Sequence, residues 1–290
     1  MDQAERLRFL VREKLNKSKG VPKRNVEIYT IASGKGGVGK TNVVINLAIA
    51  LQERDKNVLI IDADLGLANV DVILGLLPKY TLYDVLVRGR PLEEAILTGP
   101  GGIKILPGGS GVMELATLDI DQHKSLAEEF YALDDIDIIL IDTGAGISMN
   151  LLSFITFSHE LIIVTNPEPT AITDAYSLVK VLCQYNLKRN IKVIVNKSSS
   201  EQAAKKTFEK LSKTADQFLQ SKIEDFGYIL DDTRVTHAVM AQEPFLLLHP
   251  NSNASKCINK IADNFIGRAN KNRRLTTVKD VYKRLLKVFG

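Results

Sequence analysis

The sequence predicts a doubly wound α/β domain built on a mostly parallel sheet, and three observations predict it. Short apolar, β-branched runs alternate with stretches of helical length and spacing from Val26 to about residue 268. Runs such as 57–62 (NVLIID) and 137–142 (DIILID) are continuously apolar rather than alternating, the pattern of strands buried on both faces. A glycine-rich turn joins the first such run to the first helical stretch, as strand–turn–helix units require.

Taken in order, the first strand is 26–33, and the glycine-rich turn 34–41 leads into a helix over 41–54. A strand at 57–62 follows, then Gly66 and a short helix at 69–75. Residues 77–101 are punctuated by Pro and Gly and carry only helical pieces; they lead to a strand at 103–106 (IKIL). After Pro107-Gly108-Gly109 come a helix near 121–133, the strand 137–142, a helix at 148–157 and the strand 160–165 (ELIIVT). The helix 170–185, the strand 190–196 (NIKVIVN), a charged helix at 201–220, a strand at 223–230 and helices at 233–241 and 252–268 complete the domain. Neither an internal repeat nor a low-complexity tract interrupts it.

The ends differ from this core, so the predicted organisation is 1–25, 26–268 and 269–290. Residues 2–15 place Ala4, Leu7, Leu10, Val11 and Leu15 at near-helical spacing behind Asp2, a plausible N-cap. NKSKGVPKRN (16–25) then reads as a linker, leaving the first helix either tethered outside the domain or packed on it. In the tail, Leu275, Val278, Val281, Tyr282, Leu285, Leu286 and Phe289 share one helical face, flanked by Arg273, Arg274, Lys279, Lys283, Arg284 and Lys287. Such a face fits the acyl boundary of an anionic membrane, with lysines and arginines toward the headgroups. The same face could dock on the domain, in one nucleotide state or in both.

Bulk properties narrow the class. Hydrophobic residues make up 45% of 290, no apolar run is long enough to span a bilayer, and MDQAERLR is unlike a signal peptide. A cytoplasmic protein is expected, peripheral at the membrane through its tail. The two cysteines, Cys183 and Cys257, lie in no metal-ligand spacing and read as reduced core thiols. The net charge of +4 is concentrated at the termini, without a helix-turn-helix or an aromatic-interleaved basic patch, so no nucleic-acid partner is expected.

The chemistry gathers at strand ends, where parallel sheets bind their ligands. In Gly34-Lys35-Gly36-Gly37-Val38-Gly39-Lys40-Thr41, glycines let backbone N–H groups converge on phosphate oxygens at a helix N-terminus. Lys40 is placed for β- and γ-phosphates, and Thr41 for Mg²⁺. Asp62-Ala63-Asp64 ends one buried strand and Asp142 another, giving carboxylates for the cation and for an attacking water. Asp71 reads as a helix or turn residue instead.

Lys35 is more than an ordinary phosphate loop needs. With SGKGGVGKT (33–41), IIDADLGLANVD (60–71), IDTGAG (141–146) and VTNPE (164–168) in this order, the chain resembles the MinD/ParA family of deviant Walker A ATPases over about 26–268. That resemblance implies a P-loop NTPase fold of the SIMIBI class, slow ATP hydrolysis with Mg²⁺, and an ATP-dependent homodimer in which Lys35 reaches the partner's nucleotide. It implies a switch I role for Asp64, orienting water, and a switch II role for Asp142, near Mg²⁺. It implies an adenine contact for Asn196, and places Asp231 on the adenine side. Gly144 and Leu230 stand where many relatives have Pro. The N-terminal Asp2-Gln3-Ala4-Glu5-Arg6-Leu7-Arg8 resembles the DQAxxLR motif of the FlhG (YlxH/FleN) type within that family. For that type the expected partners are an FlhF-type GTPase, activated through Asp2, Gln3, Ala4, Leu7 and Arg8, and flagellar C-ring switch proteins. The expected function is control of flagellar number and placement. A division-site MinD regulator and a ParA-type DNA-segregation ATPase are the alternatives.

Overall fold

The computed structural model describes residues 26–64, 70–109, 126, 128–130, 133, 135–185, 187 and 191–269. The expected N-terminal helix, the tail helix, Gly66 and Asn69 lie outside the described residues, as does most of the helix expected near 121–133.

Among the described residues, eight strands form one sheet: β1 (Glu27–Ser33), β2 (Val58–Ala63), β3 (Leu97–Thr98), β4 (Lys104–Leu106), β5 (Ile138–Ala145), β6 (Glu160–Thr165), β7 (Ile191–Ser198) and β8 (Ile223–Leu230). Their order is β3-β4-β2-β5-β1-β6-β7-β8. Every pairing is parallel except β3 with β4. The doubly wound, mostly parallel sheet is therefore present, with β1 near its centre between β5 and β6.

The helices are α1 (Lys40–Gln52), α2 (Val70–Ile73), α3 (Leu82–Arg88), α4 (Leu92–Ala95), α5 (Met149–Phe157), α6 (Pro169–Gln184), α7 (Glu201–Leu219), α8 (Thr233–Met240), α9 (Phe245–Leu248) and α10 (Asn253–Ala269). Ser148 and Ser200 start α5 and α7 by accepting hydrogen bonds from Leu151 N and Ala203 N, each at 3.1 Å. Strand alternation divides the core between the two faces of the sheet. Val58 and Ile60 pack with α1 and α10 on one face, while Leu59 and Ile61 join Leu82, Leu92 and Phe154 on the other. Helix α1 is buried from Val43 to Leu51 between the sheet and α10, which explains why its sequence is apolar almost all round. Arg54 then ties α1 to α10 by donating to Asp263 Oδ1 at 2.8 Å and Asn259 Oδ1 at 3.0 Å.

Two elements have no counterpart in the expected order. The edge strand β3 is two residues long, too short to carry a period-2 signal, and turns back antiparallel through Pro100-Gly101-Gly102. The one-turn α9 is held by α1, where Asn46 Oδ1 accepts Leu246 N at 2.8 Å.

Helix α3, among the helical pieces of 77–101, starts in a reciprocal cap. Asp84 Oδ2 accepts Thr81 N at 2.9 Å and the Thr81 hydroxyl at 3.0 Å, and Oδ1 accepts Arg88 Nη1 at 2.6 Å. Burial works against the ionised carboxyl, but these bonds and the Arg88 charge outweigh it and hold the Asp84 pKa below its ordinary value. The Asp84→Asn variant should lose about 1 kcal/mol at neutral pH in thermal denaturation. A lowered carboxyl pKa gives stability present above the unfolded value of about 3.9 and lost as pH falls through the folded value. The gap between variant and wild type should therefore close in acid below about pH 4.

Candidate active site

The turn after β1 sits at the carboxyl edge of the sheet and feeds directly into α1. Gly34 is pressed against α6: a Cβ there would lie 2.3 Å from the Asp174 carbonyl carbon, so only glycine lets the loop pass. Gly39, just before α1, has a left-handed φ of 87°, which an L side chain would strain.

The parallel register of β2 and β5 sets Asp62 beside Asp142, both fully buried. Lys40 at the head of α1 is itself buried and forms an ion pair with Asp142 Oδ1. Burial raises the Asp142 pKa; the Lys40 ammonium and the nearby Thr41 hydroxyl pull it back without reversing the direction, and Asp64 adds to the rise. The second oxygen, Asp142 Oδ2, is buried without a hydrogen-bond partner.

Asp62 is used differently. Its Oδ1 accepts Asp64 N and its Oδ2 accepts Val70 N, each at 3.1 Å, so it ties the end of β2 to the start of α2. Asp64 lies next to the last residues of β5: a Cβ on Gly144 would come 3.2 Å from Asp64 Oδ1. Glycine at 144 leaves that carboxylate room.

Among the described residues no cluster of three or more His, Cys, Asp or Glu side chains could cage a metal. The donors suit a cation held mainly by phosphate and water. That is how Mg²⁺ binds at such sites, through one or two carboxylates and a hydroxyl. The orphaned Oδ2 of Asp142, beside Thr41, fits this requirement. Cys183 and Cys257 are both free; burial chiefly raises the Cys257 pKa, the environment of an inert thiol.

Beyond the loop, Asn196 and Asp231 line a cavity of about 310 Å³ together with Gly39, Asn42, Leu230 and Val239. Asn196 Nδ2 donates to Val38 O at 2.8 Å, so this side chain meets the phosphate loop as well as the cavity. Asp232 lines the cavity too and joins the starts of α8 and α10, its Oδ1 accepting Arg234 N and its Oδ2 accepting Asn253 N, both at 3.1 Å.

Lys35 stands apart from Lys40. Its ammonium donates to Glu168 Oε2 at 2.5 Å and to Thr170 Oγ1 at 3.0 Å, at the start of α6. The bond from Lys35 is the main cause of a lowered Glu168 pKa. The structure thus brings Lys40, Asp62, Asp64, Asp142 and Asn196 around one loop and keeps Lys35 at its outer rim. Sequence reasoning missed Glu168, Thr170 and Lys197; Glu168 closes the quoted VTNPE run, and Lys197 follows Asn196, so position at a strand end was the available signal. Asp2, Gln3, Ala4, Leu7 and Arg8, and the tail residues from Val278 to Phe289, lie outside the described residues.

A glycine loop at the carboxyl edge of a parallel sheet, with a buried lysine and carboxylates from adjoining strands, defines a nucleotide-phosphate site. Residues 29–245 match the CobQ/CobB/MinD/ParA nucleotide binding domain, and the chain belongs to that family. It is an ATP-hydrolysing member of the MinD/ParA type. The chain is 41% identical to the antiactivator FleN of Pseudomonas aeruginosa over 82% of its length and 85% of that protein. It is 33% identical to the flagellum site-determining protein YlxH of Helicobacter pylori over 100% of its length and 99% of that protein. Among solved structures, it is similar to the septum site-determining protein MinD of Pyrococcus horikoshii complexed with Mg-ADP. The TM-score is 0.70 at 28% identity, covering 84% of this chain and 98% of that one.

Proposed function

We propose that this chain is a membrane-associated ATPase switch of the FlhG type that regulates flagellar number and placement. The observation that carries this reading is the second lysine of the loop, Lys35, set at the rim outside the Lys40–Asp142 pair. Similarity to FleN and YlxH along most or all of the chain supports the flagellar branch over the division-site and DNA-segregation branches.

In this reading, backbone N–H groups of Gly34 to Thr41 cradle the ATP phosphates, and Lys40 leaves Asp142 for the β- and γ-phosphates. Lys35 of each subunit completes the other's site in an ATP-dependent homodimer. Asp64 orients the attacking water. Asn196 and Asp231 meet the base side. Mg²⁺, bound with the nucleotide, would neutralise developing phosphate charge, and Thr41, Asp142, Asp64 and Asp62 are the residues that would hold it. Asp62 contributes chiefly by keeping Asp64 in place, since both its oxygens already accept backbone N–H groups.

The dimer then favours release of the basic tail helix onto anionic lipid at the inner face of the cell membrane. No described helix is long and apolar enough to cross a membrane, so attachment is peripheral in this reading. The N-terminal DQAERLR segment engages an FlhF-type GTPase, and the domain meets flagellar switch proteins. A tail equally exposed in both nucleotide states would transmit nothing.

Co-sedimentation with anionic liposomes tests the proposal, comparing the full chain with one ending at Arg273 in ATP and in ADP. ATP-dependent binding lost on truncation is expected. Equal binding by both chains would remove the tail from the mechanism. Retention on non-specific DNA in ATP, with no lipid binding, would point to the ParA-type alternative instead.

A further inference from the structure

We propose that Lys197 is a positioning residue for the phosphate loop, acting with Asn196 as a two-point clamp on its outer carbonyls. This rests on the nucleotide-site reading above and adds to it a residue that never needs to touch the nucleotide. Lys197 Nζ donates to Gly37 O at 2.8 Å, and Asn196 Nδ2 donates to Val38 O at 2.8 Å. Both bonds span about 160 residues of sequence, from the end of β7 back to the loop after β1.

The planar trans peptide gives this clamp its meaning. A carbonyl and the N–H of the next residue point in opposite directions across one peptide unit. Holding the Gly37 and Val38 carbonyls toward β7 therefore turns the N–H groups of Val38 and Gly39 away from it, into the concave side of the loop. Consecutive N–H groups turned the same way make an anion-binding nest. In the absence of the clamp, a glycine-rich loop has many competing conformations, and ordering them would be charged to nucleotide affinity.

The backbone is shaped to deliver both side chains. The pairing of β7 with β8 slips between Val195 and Ser198, an irregularity of the kind that re-aims side chains at strand ends. Within it Lys197 adopts a left-handed φ of 52°, unfavourable for any residue with a Cβ. A solvated surface lysine has no need of that conformation. The loop is fitted in return: a Cβ on Gly39 would come 2.5 Å from Asn196 Nδ2 and 3.7 Å from Lys197 Cε.

The test uses the full chain and two ligands, ADP and inorganic pyrophosphate, with thermal melting as the control. Lys197→Met should weaken both ligands in parallel, by about tenfold for the loss of a charge-assisted bond. Lys197→Arg should restore most of that loss. Lys197→Gly should bind as weakly as the methionine variant yet melt no lower than it, because glycine relieves the left-handed backbone; a general structural role would lower melting and binding together. The deficit should persist in high salt, where the Debye length shrinks to about 3 Å at ~1 M. Weaker ADP binding with unchanged pyrophosphate binding would overturn the clamp in favour of a base contact. A deficit that vanishes in high salt would reduce Lys197 to a diffuse positive charge. If wild type bound neither ligand, the nucleotide-site reading itself would fall.

Discussion

Lys40→Ala is expected to abolish ATP hydrolysis and, separately, to destabilise the nucleotide-free protein by about 3–5 kcal/mol. The second effect follows from the buried pair with Asp142, not from catalysis. Removing the lysine leaves a carboxylate with no exposure and one oxygen already without a partner. Its pKa, raised by burial even with Lys40 present, loses its main opposing influence. The sign is opposite to that of Asp84: stability from a raised carboxyl pKa is fully present below the unfolded value of about 3.9 and lost as pH rises through the folded one. The deficit of Lys40→Ala should therefore shrink as the solution is acidified. Adding Asp142→Asn should recover part of the loss at neutral pH, since a neutral amide needs no counter-charge. Denaturant melts of wild type, Lys40→Ala and the double variant at two pH values check this. A double variant less stable than Lys40→Ala at neutral pH would contradict it.

Lys35→Ala and Asp64→Ala should diverge. Light scattering in ATP should find the first monomeric and nearly inactive, because each site lacks the neighbouring subunit's lysine. The second should form a dimer that persists, because binding is intact and water is no longer oriented. Loss of an oriented general base or water-positioning group costs at least about 10²-fold in rate. Normal dimerisation and turnover by Lys35→Ala would refute the shared-site reading. The contacts of Lys35 with Glu168 and Thr170 bear on the threshold, since a lysine that must leave two own-chain partners is offered at some free-energy cost. That pair is solvent-exposed, so the cost is small.

Much of the fold and of the phosphate loop is legible in the sequence alone. Continuous apolar runs at 57–62 and 137–142 became β2 and β5, central buried strands, because a chain can hide such runs only between two helical layers. Gly34 to Thr41 is legible because its spacing reflects backbone geometry that few residues permit. Other features depend on strand order, which no local window contains. The juxtaposition of Asp62 with Asp142 is a matter of parallel register between strands about 80 residues apart. The bond from Lys197 to Gly37 needs both the neighbouring positions of β1, β6 and β7 and the slip in β7. Asp231 and Asp232 both line the cavity, but only the structure shows that Asp232 also caps α8, because that bond depends on how the turn after β8 is closed. The two-residue β3 exists only because β4 is there to receive it.

The bond from Asn253 N to Asp232 fixes one end of a lever. Helix α10 starts beside the cavity lined by Asn196 and Asp232, passes Arg54 at the end of α1, and reaches Phe265, whose ring packs 4.3 Å from that of Tyr29 near the amino end of β1. Its 17 residues amount to a rod of about 25 Å at ~1.5 Å per residue. A tilt of about 5° at the Asp232 pivot would carry the far tip roughly 2 Å on that length. Aromatic packing of Phe265 on Tyr29 and Phe226 holds that tip against the sheet. A small rearrangement at the Asp232 end of α10 would thus be felt as far as the amino edge of the sheet, where Phe265 meets Tyr29.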